Sequence, residues 1–264
     1  MNRESVNHSS PTQTRTDPWS TLYKIGGIAA LLAVFVFRRN LGAELSLLAV
    51  FGIIDGVPTT PLMTGINWFK LLQDNWLVGL TLLNFFDLVE YALLGLIFLA
   101  LYGALRQTNR SAMVIATTSG LVGITVYFAS NQALAMLALS DRYAAATSAA
   151  QRSIYLAAGE MLLAITNPES AHQGTGVYIS LFLVLLAGLM ISIVMLRSNI
   201  FNKATAITGI LANGIGLCYF ITLAFLPAIY WIPHPVSAPF RVAWYFLIAL
   251  RLFKLGKAKK TELK

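Results

Sequence analysis

The stretch ISLFLVLLAGLMISIVML, residues 179–196, decides the fold because it holds no charged residue over nearly the length of a membrane-crossing helix. A helix needs about 20 consecutive apolar residues to cross the hydrocarbon core of a bilayer. Apolar and polar residues do not alternate here, as they would in a strand of a membrane β-barrel. Because lipid offers no hydrogen bonds, a crossing segment of this kind must be a helix. We therefore predict an all-α, polytopic transmembrane helical bundle.

The composition of the whole chain supports this prediction. Of its 264 residues, 57% are hydrophobic and 11% are charged, and the mean hydropathy is +0.68. Soluble domains are about 25% charged. The net charge of +8 comes from lysines and arginines at the ends of apolar runs. That placement follows the positive-inside rule, so we expect no nucleic-acid partner.

Seven apolar runs are predicted to cross the membrane: residues 22–37, 41–57, 77–105, 112–139, 177–196, 204–226 and 240–253. The second run contains two acidic residues, and if it does not cross, six spans remain and both termini lie inside. We prefer seven spans, with the N-terminus outside and the C-terminus cytoplasmic. Residues 1–20 are predicted to be a disordered polar tail, residues 21–255 the transmembrane domain, and residues 256–264 a basic cytoplasmic tail.

Three segments are predicted to lie at the membrane interface and not to cross the membrane. Residues 140–166 form a helix with a weaker apolar stripe, which Ser140 is expected to cap, and we place it on the membrane face. Residues 68–76 contain two tryptophans, which favour the interfacial depth. Residues 227–239, PAIYWIPHPVSAP, read as an aromatic, proline-rich loop.

The strongest chemical signal is a pair of acidic residues within an apolar run. Asp87 and Glu90 are three residues apart and share a helix face, which Asn84 and Tyr91 extend. A charge at the bilayer centre costs about 2.5–3.5 kcal/mol, so such residues usually face the bundle interior or a watery cavity. Two close carboxylates repel, and one can retain its proton, which suits proton relay or cation binding. The alternative is that the pair stands near the interface or acts as packing glue.

Four further polar residues in apolar segments are secondary candidates. Glu160 is expected to face lipid headgroups, with the mouth of a cavity as the alternative. Glu44 and Asp55 depend on whether their segment crosses. Asn213 is expected to make an interhelical hydrogen bond rather than bind a ligand.

The sequence predicts no catalytic residue, metal site or cofactor. Its three histidines, His8, His172 and His234, fall in the tail and in predicted loops, so haem ligation inside the bundle is not expected. The partners we expect are the bilayer itself, anionic lipid headgroups at the lysine-rich C-terminus, and a second copy of the chain through small-residue helix faces. Those faces are Ala116/Gly120, Gly188/Ser192 and Ala212/Gly216.

The chain from Leu77 onward resembles a prokaryotic multi-pass membrane family known as domain of unknown function 4386. The resemblance rests on LTLLNFFDLVEYALLGLIFLALYGALR, MLALSDRYAAATSAAQRS, LAAGEMLLAI, LAGLMISIVMLRSNIF and ATAITGILANGIGLCYF. It implies a helical bundle in a prokaryotic plasma membrane and implies no activity.

The favoured function is transport or permeation of a small solute or ion, with proton coupling through the acidic pair. A non-catalytic sensor or assembly partner is the first alternative. An intramembrane enzyme that uses carboxylates on a lipid-borne substrate is the second. A water-accessible cavity that reaches Asp87 would favour transport.

Overall fold

A computed structural model of the chain describes residues 18–37, 62–166 and 174–257. In these residues the helices are α1 Ser20–Phe37, α2 Gly65–Asp74, α3 Trp76–Leu82, α4 Asp87–Leu105, α5 Arg110–Ser130, α6 Ala133–Ala145, α7 Ala149–Thr166, α8 Thr175–Leu196, α9 Lys203–Phe225 and α10 Pro233–Lys257, with a short 3₁₀ turn at Pro227–Ile229. Three of the helices begin at asparagines whose side chains accept backbone N–H groups: Asn75, Asn109 and Asn202.

Six of the described helices form a closed ring. Each packs on two neighbours, in the order α4, α1, α10, α9, α8, α5 and back to α4. Neighbours are antiparallel: Trp19 before α1 contacts Tyr102 near the end of α4, and Gly256 near the end of α10 lies beside Ser20. The start of α1 and the end of α10 therefore share one end of the bundle.

That end carries most of the described basic residues, and we call it the basic end. It is defined by Lys24, Arg106, Arg110, Arg197, Lys203, Arg251, Lys254 and Lys257. The opposite end, where α4, α8 and α10 begin, is called the cavity end. Between the two ends the ring encloses an apolar core that includes Phe98, Ile191, Trp244 and Ile248.

The helical prediction is confirmed for the described residues. Five helical segments there are long and apolar enough to cross a membrane: Asp87–Leu105, Arg110–Ala145 (α5 together with the following α6), Thr175–Leu196, Lys203–Phe225 and Pro233–Lys257. The segment Ser20–Val36 is a shorter apolar helix. The predicted run 41–57 and both tails, apart from residues at their inner edges, lie outside the described residues.

Four short helices, α2, α3, α6 and α7, pack together as a layer that covers the cavity end, here called the cap layer. Of the two tryptophans in the predicted interfacial stretch, Trp76 is exposed, whereas Trp68 is fully buried and donates from Nε1 to Leu62 O at 2.9 Å. The expected cap at Ser140 is wrong. Ser140 lies in the middle of α6, where its Oγ donates to Phe69 O at 3.1 Å, so it ties α6 to α2 and caps no helix.

The last span begins earlier than the sequence predicts. The helix α10 includes PHPVSAP, residues 233–239, which was expected to be part of a loop. Pro233 and Pro235 are tolerated in the first turn because the N–H groups there have no partner within the helix, whereas Pro239 lies inside the helix and removes one of its backbone hydrogen bonds. The early start places His234 in the first turn of α10 and not in a loop.

The small residues expected to mediate helix packing are all buried within this single chain. Gly188 in α8 lies directly against the amide of Asn213 in α9, and a methyl group at Gly188 would clash with it. Gly209 in α9 likewise lies against Ser192 and Trp244. These faces hold the ring together, and self-association through them stays a prediction.

Candidate functional site

The site begins where the predicted run 77–105 breaks. Asn84 has a φ of 58°, the left-handed region that asparagine tolerates better than most residues. The side chain of Asn131 stabilises this turn, because its Nδ2 donates to Asn84 O at 3.0 Å. The turn ends α3 and starts α4 afresh, so Asp87 is the first residue of α4 and not an interior residue of a long helix. The prediction of one continuous helix over this run is therefore wrong.

Asp87 is held by a tyrosine from the neighbouring helix. The phenol of Tyr127 in α5 donates to Asp87 Oδ2 at 3.1 Å. The ring of Tyr127 stacks on Tyr91, with ring centroids 4.0 Å apart and planes 10° from parallel. The positive end of the α4 dipole also favours a carboxylate here. The carboxyl group of Asp87 thus lies beside two stacked aromatic rings, one of which donates a hydrogen bond to it.

A second group of charges lies deeper, on the cavity floor. Glu90, one turn further along α4, is 4% exposed, and Arg241 of α10 is 9% exposed. The phenol of Tyr245 lies within electrostatic range of both of these residues, and the phenol of Tyr91 lies within range of both of them and of Asp87. Gly216 of α9 lies beside this guanidinium: a methyl group there would stand 3.4 Å from Arg241 Nη2, an ordinary contact, and 2.9 Å from Leu185 Cδ2. Opposite charges therefore share one small buried volume.

These groups surround a cavity of about 390 Å³ that opens at the cavity end, between the ring and the cap layer. Its charged and titratable lining consists of Asp87, Glu90, Arg241, His234, Tyr91, Tyr127, Tyr178 and Tyr219. Its other polar lining consists of Asn84, Ser130, Asn131, Gln132 and Thr166. All four principal sequence candidates, Asn84, Asp87, Glu90 and Tyr91, line this one cavity.

The secondary candidates lie elsewhere or outside the described residues. The carboxylate of Glu160 accepts from Gly65 N at 2.7 Å, so it caps α2 from α7 and does not line the cavity. Asn213 donates from Nδ2 to Gly209 O of its own helix at 2.8 Å, so its donor bond is not the interhelical one expected. Glu44 and Asp55 lie outside the described residues.

Sequence reasoning missed Arg241 and the tyrosines of α8 and α9. Arg241 is a basic residue near the start of an apolar run, and the cost of placing a charge there was a signal for a functional or paired role. Tyr178 and Tyr219 lie 6.5 Å apart between ring centroids, from different helices, so no spacing in the sequence could join them. His234 reaches the cavity only because α10 begins at Pro233.

The cavity does not continue through the bundle. Toward the basic end, the fully buried Ile97, Phe98, Leu101 and Leu105 follow Glu90 along α4. From Glu90 to Leu105 is about 22 Å at 1.5 Å per residue. A separate cavity of about 330 Å³ at the basic end is lined by the α8–α9 connection and by Arg251 and Lys254. Among the described residues, no three His, Cys, Asp or Glu residues are grouped so as to hold a metal ion.

No protein-family model, curated protein or solved structure matches the chain. The resemblance of the stretch after Leu77 therefore stays a prediction, and the site is interpreted from its own geometry. Over the part of the chain that the structure describes, the fold and the site together define an all-helical protein with five apolar helices of membrane-crossing length and a polar, charged cavity at one end.

Proposed function

We propose that the protein is a membrane transporter for a small solute, which binds in the cavity between the ring and the cap layer. The observation that carries this proposal is that one open cavity brings together Asp87, Glu90 and Arg241. Ionisable groups within membrane bundles are costly and usually mark a pathway for solute, ion or proton. A pocket of this size, with a few convergent polar groups, is a typical small-molecule site.

We propose six crossings, made by the six ring helices, with the basic end in the cytoplasm. Support comes from the eight basic residues that define the basic end, because such residues are enriched on the cytoplasmic side. The start of α1 and the end of α10 lie at that end, so both would face the cytoplasm. The cavity then opens to the outside of the cell. The family resemblance implies that this cell is prokaryotic.

Transport requires that the apolar core below Glu90 open toward the basic end. We place this movement at the contact of α8 with α9, where glycines bring the two helices close together. Solute bound at Asp87 would be exposed alternately to the two sides. Asp87 and Glu90 lie one turn apart and can pass a proton in the same cycle.

The test is uptake by proteoliposomes that contain the purified protein. The vesicles are incubated with a mixture of water-soluble cellular metabolites, under an imposed pH gradient, and their contents are identified by mass spectrometry. The wild type should enrich at least one solute, and Asp87→Asn should abolish that enrichment. The matched control is Asp74→Asn, an exposed aspartate at the end of α2 that does not line the cavity. Equal contents in wild-type and protein-free vesicles would contradict transport.

A sensor or assembly protein is the second candidate, and the closed apolar core favours it. A cavity that is open only at one end can report on a ligand without moving it. In that case the ligand should raise the thermal stability of the protein while the vesicles accumulate nothing.

A further inference from the structure

We propose that the cavity at the basic end binds a phosphate group, which Arg251 holds beside the first turn of α9. This cavity, of about 330 Å³, is here called the basic cavity. It lies at the opposite end of the ring from Asp87, so the proposal goes beyond transport and does not rest on it. It follows from the cations in the wall of the basic cavity, from the distribution of carboxylates, and from the apolar residues of the same lining.

Two cations of α10 line the basic cavity. Arg251 and Lys254 are three residues apart, so they share one face of the helix. Arg251 is partly buried, and its Nε is covered from solvent without a hydrogen-bond partner in the described part of the chain. A shielded donor of a charged group is costly to leave unsatisfied, and a bound ion is one way to compensate it. The planar guanidinium matches the oxygens of a phosphate group with two parallel hydrogen bonds.

The described carboxylates all lie far from the basic cavity along the bundle. They belong to the cap layer or to the first turn of α4: Asp74, Asp87, Glu90, Asp141 and Glu160. Within the described residues, the basic end therefore combines eight cations with no acidic side chain. An anion that compensates Arg251 must come from outside these residues.

The connection from α8 to α9 supplies further polar groups. Asn199 and Asn202 line the basic cavity, and α9 begins directly after Asn202. Asn202 caps the helix, because its Oδ1 accepts from Thr205 N at 2.8 Å, and its Nδ2 group is a donor. The start of a helix carries a partial positive charge and attracts anions. These groups add to the attraction of the two cations and would not form a site without them.

The apolar part of the lining favours a lipid as the source of the phosphate. Leu247 and Leu250 line the same cavity, four residues before Arg251 and Lys254 respectively. Leu250 is 46% exposed, on a helix long and apolar enough to cross a membrane. In a bilayer these leucines lie one helical turn, about 5.4 Å, below the cations. A phospholipid has the same order, with its phosphate above its acyl chains, and basic pockets between crossing helices bind anionic headgroups.

Binding is measured by native mass spectrometry of the full chain in a non-ionic detergent, with three matched probes. Dioleoyl phosphatidylglycerol carries the phosphate, dioleoylglycerol has the same chains without it, and glycerol 3-phosphate has the phosphate without the chains. Phosphatidylglycerol should bind at least about tenfold more tightly than dioleoylglycerol, the scale of a hydrogen bond to a charged group. Equal affinity for these two lipids would overturn the proposal.

The third probe distinguishes the two sources of the phosphate. Much weaker binding of glycerol 3-phosphate than of phosphatidylglycerol supports a lipid headgroup site. Equally tight binding of both supports the phosphate site and assigns it to a soluble ligand. If neither phosphate binds, the proposal is wrong.

Variants of single arginines locate the phosphate. Arg251→Gln should weaken the binding of phosphatidylglycerol by about tenfold or more, and Arg251→Lys, which keeps only the charge, should have an intermediate effect. The matched control is Arg110→Gln, at an exposed arginine of the basic end that lies across the ring at the start of α5 and does not line the cavity. It should bind nearly as tightly as the wild type. Unchanged affinity in Arg251→Gln, or an equal loss in Arg110→Gln, would refute the assignment.

A further variant tests whether an acid of the chain itself compensates Arg251. Asp17 and Glu262 are the acidic residues closest in sequence to the start of α1 and the end of α10. The double variant Asp17→Asn, Glu262→Gln should bind phosphatidylglycerol as the wild type does. A rise in affinity of about tenfold would show that a carboxylate of the chain occupies the site, and this would overturn the proposal.

Size-exclusion profiles and melting temperatures like those of the wild type show that each variant is folded, and Arg251→Lys serves as the folded reference if Arg251→Gln is unstable. The result is also separate from the uptake assay. Phosphatidylglycerol binding through Arg251 without vesicle uptake supports this site and contradicts transport. Uptake without any phosphate binding supports transport and contradicts this site.

Discussion

Glu90 and Arg241 should be energetically coupled, and the structure indicates how strongly. Both side chains are buried, at 4% and 9% exposure, and both lie near the phenol of Tyr245. Removing one member of a buried pair leaves an uncompensated charge and costs about 3–5 kcal/mol. Glu90→Gln and Arg241→Gln should therefore each be strongly destabilising. The double variant removes both charges, so its loss should fall short of the sum by about 2–3 kcal/mol.

The assay is unfolding in mixed micelles with an increasing mole fraction of sodium dodecyl sulfate, followed by tryptophan fluorescence. Trp244 reports on the region because it is 1% exposed and its ring lies 5.7 Å from that of Tyr245. Asp141→Asn, on the exposed face of α6, is the control for loss of a carboxylate without burial. If the losses of the two single variants simply add in the double variant, the two charges do not compensate each other.

Three further predictions concern the two ends of the molecule. The first prediction concerns topology and uses single cysteines in a Cys218→Ser background. An impermeant thiol reagent added outside intact cells should label Thr147→Cys, between α6 and α7, and should not label Ser198→Cys, after α8. The reverse pattern would show that the basic end lies outside the cell. Glu160→Ala should lower the free energy of unfolding by about 1 kcal/mol, the scale of a lost helix cap, and should speed hydrogen exchange at the first amide of α2. Unchanged exchange would mean that the hydrogen bond from this amide to Glu160 does not persist in solution. The double variant Lys254→Gln, Lys257→Gln should retain less phosphatidylglycerol, as measured by native mass spectrometry. The reason is that each exposed lysine near an anionic surface contributes about 1 kcal/mol to the binding of anionic lipid. Equal retention by the wild type and the double variant would contradict the anionic-lipid prediction.

The existence of the long helices could be predicted from the sequence. An apolar run in lipid can satisfy its backbone N–H and C=O groups only by forming a helix. The predicted run 177–196 corresponds to Thr175–Leu196, and the predicted run 204–226 to Lys203–Phe225. Asp87 and Glu90 could be selected for the same reason, since an ionised group in such a run needs a compensating environment. These predictions depend on local composition, which one sequence supplies.

The breaks in the helices could not be predicted, because tertiary contacts make them. Leu83, Phe85 and Phe86 are compatible with a continuing helix, and nothing in their order requires a turn. The turn exists because Asn84 adopts a left-handed conformation and Asn131, 47 residues away, donates to its carbonyl. The burial of Trp68 could not be predicted from the sequence either, because it depends on α6 and α7 packing over α2.

Asp87 has features of a structural residue and features of a functional residue, and its place in the wall of the cavity favours a functional role. As the first residue of α4, with a hydrogen bond from Tyr127, it is stabilised by a helix dipole and a neighbour, as a structural residue would be. A structural role alone, however, would be filled as well by asparagine, which accepts the same bond and suits the start of a helix. A carboxylate at this position lines an open cavity together with Glu90 and Arg241. There it can also attract a cation or take up a proton, which an amide cannot do.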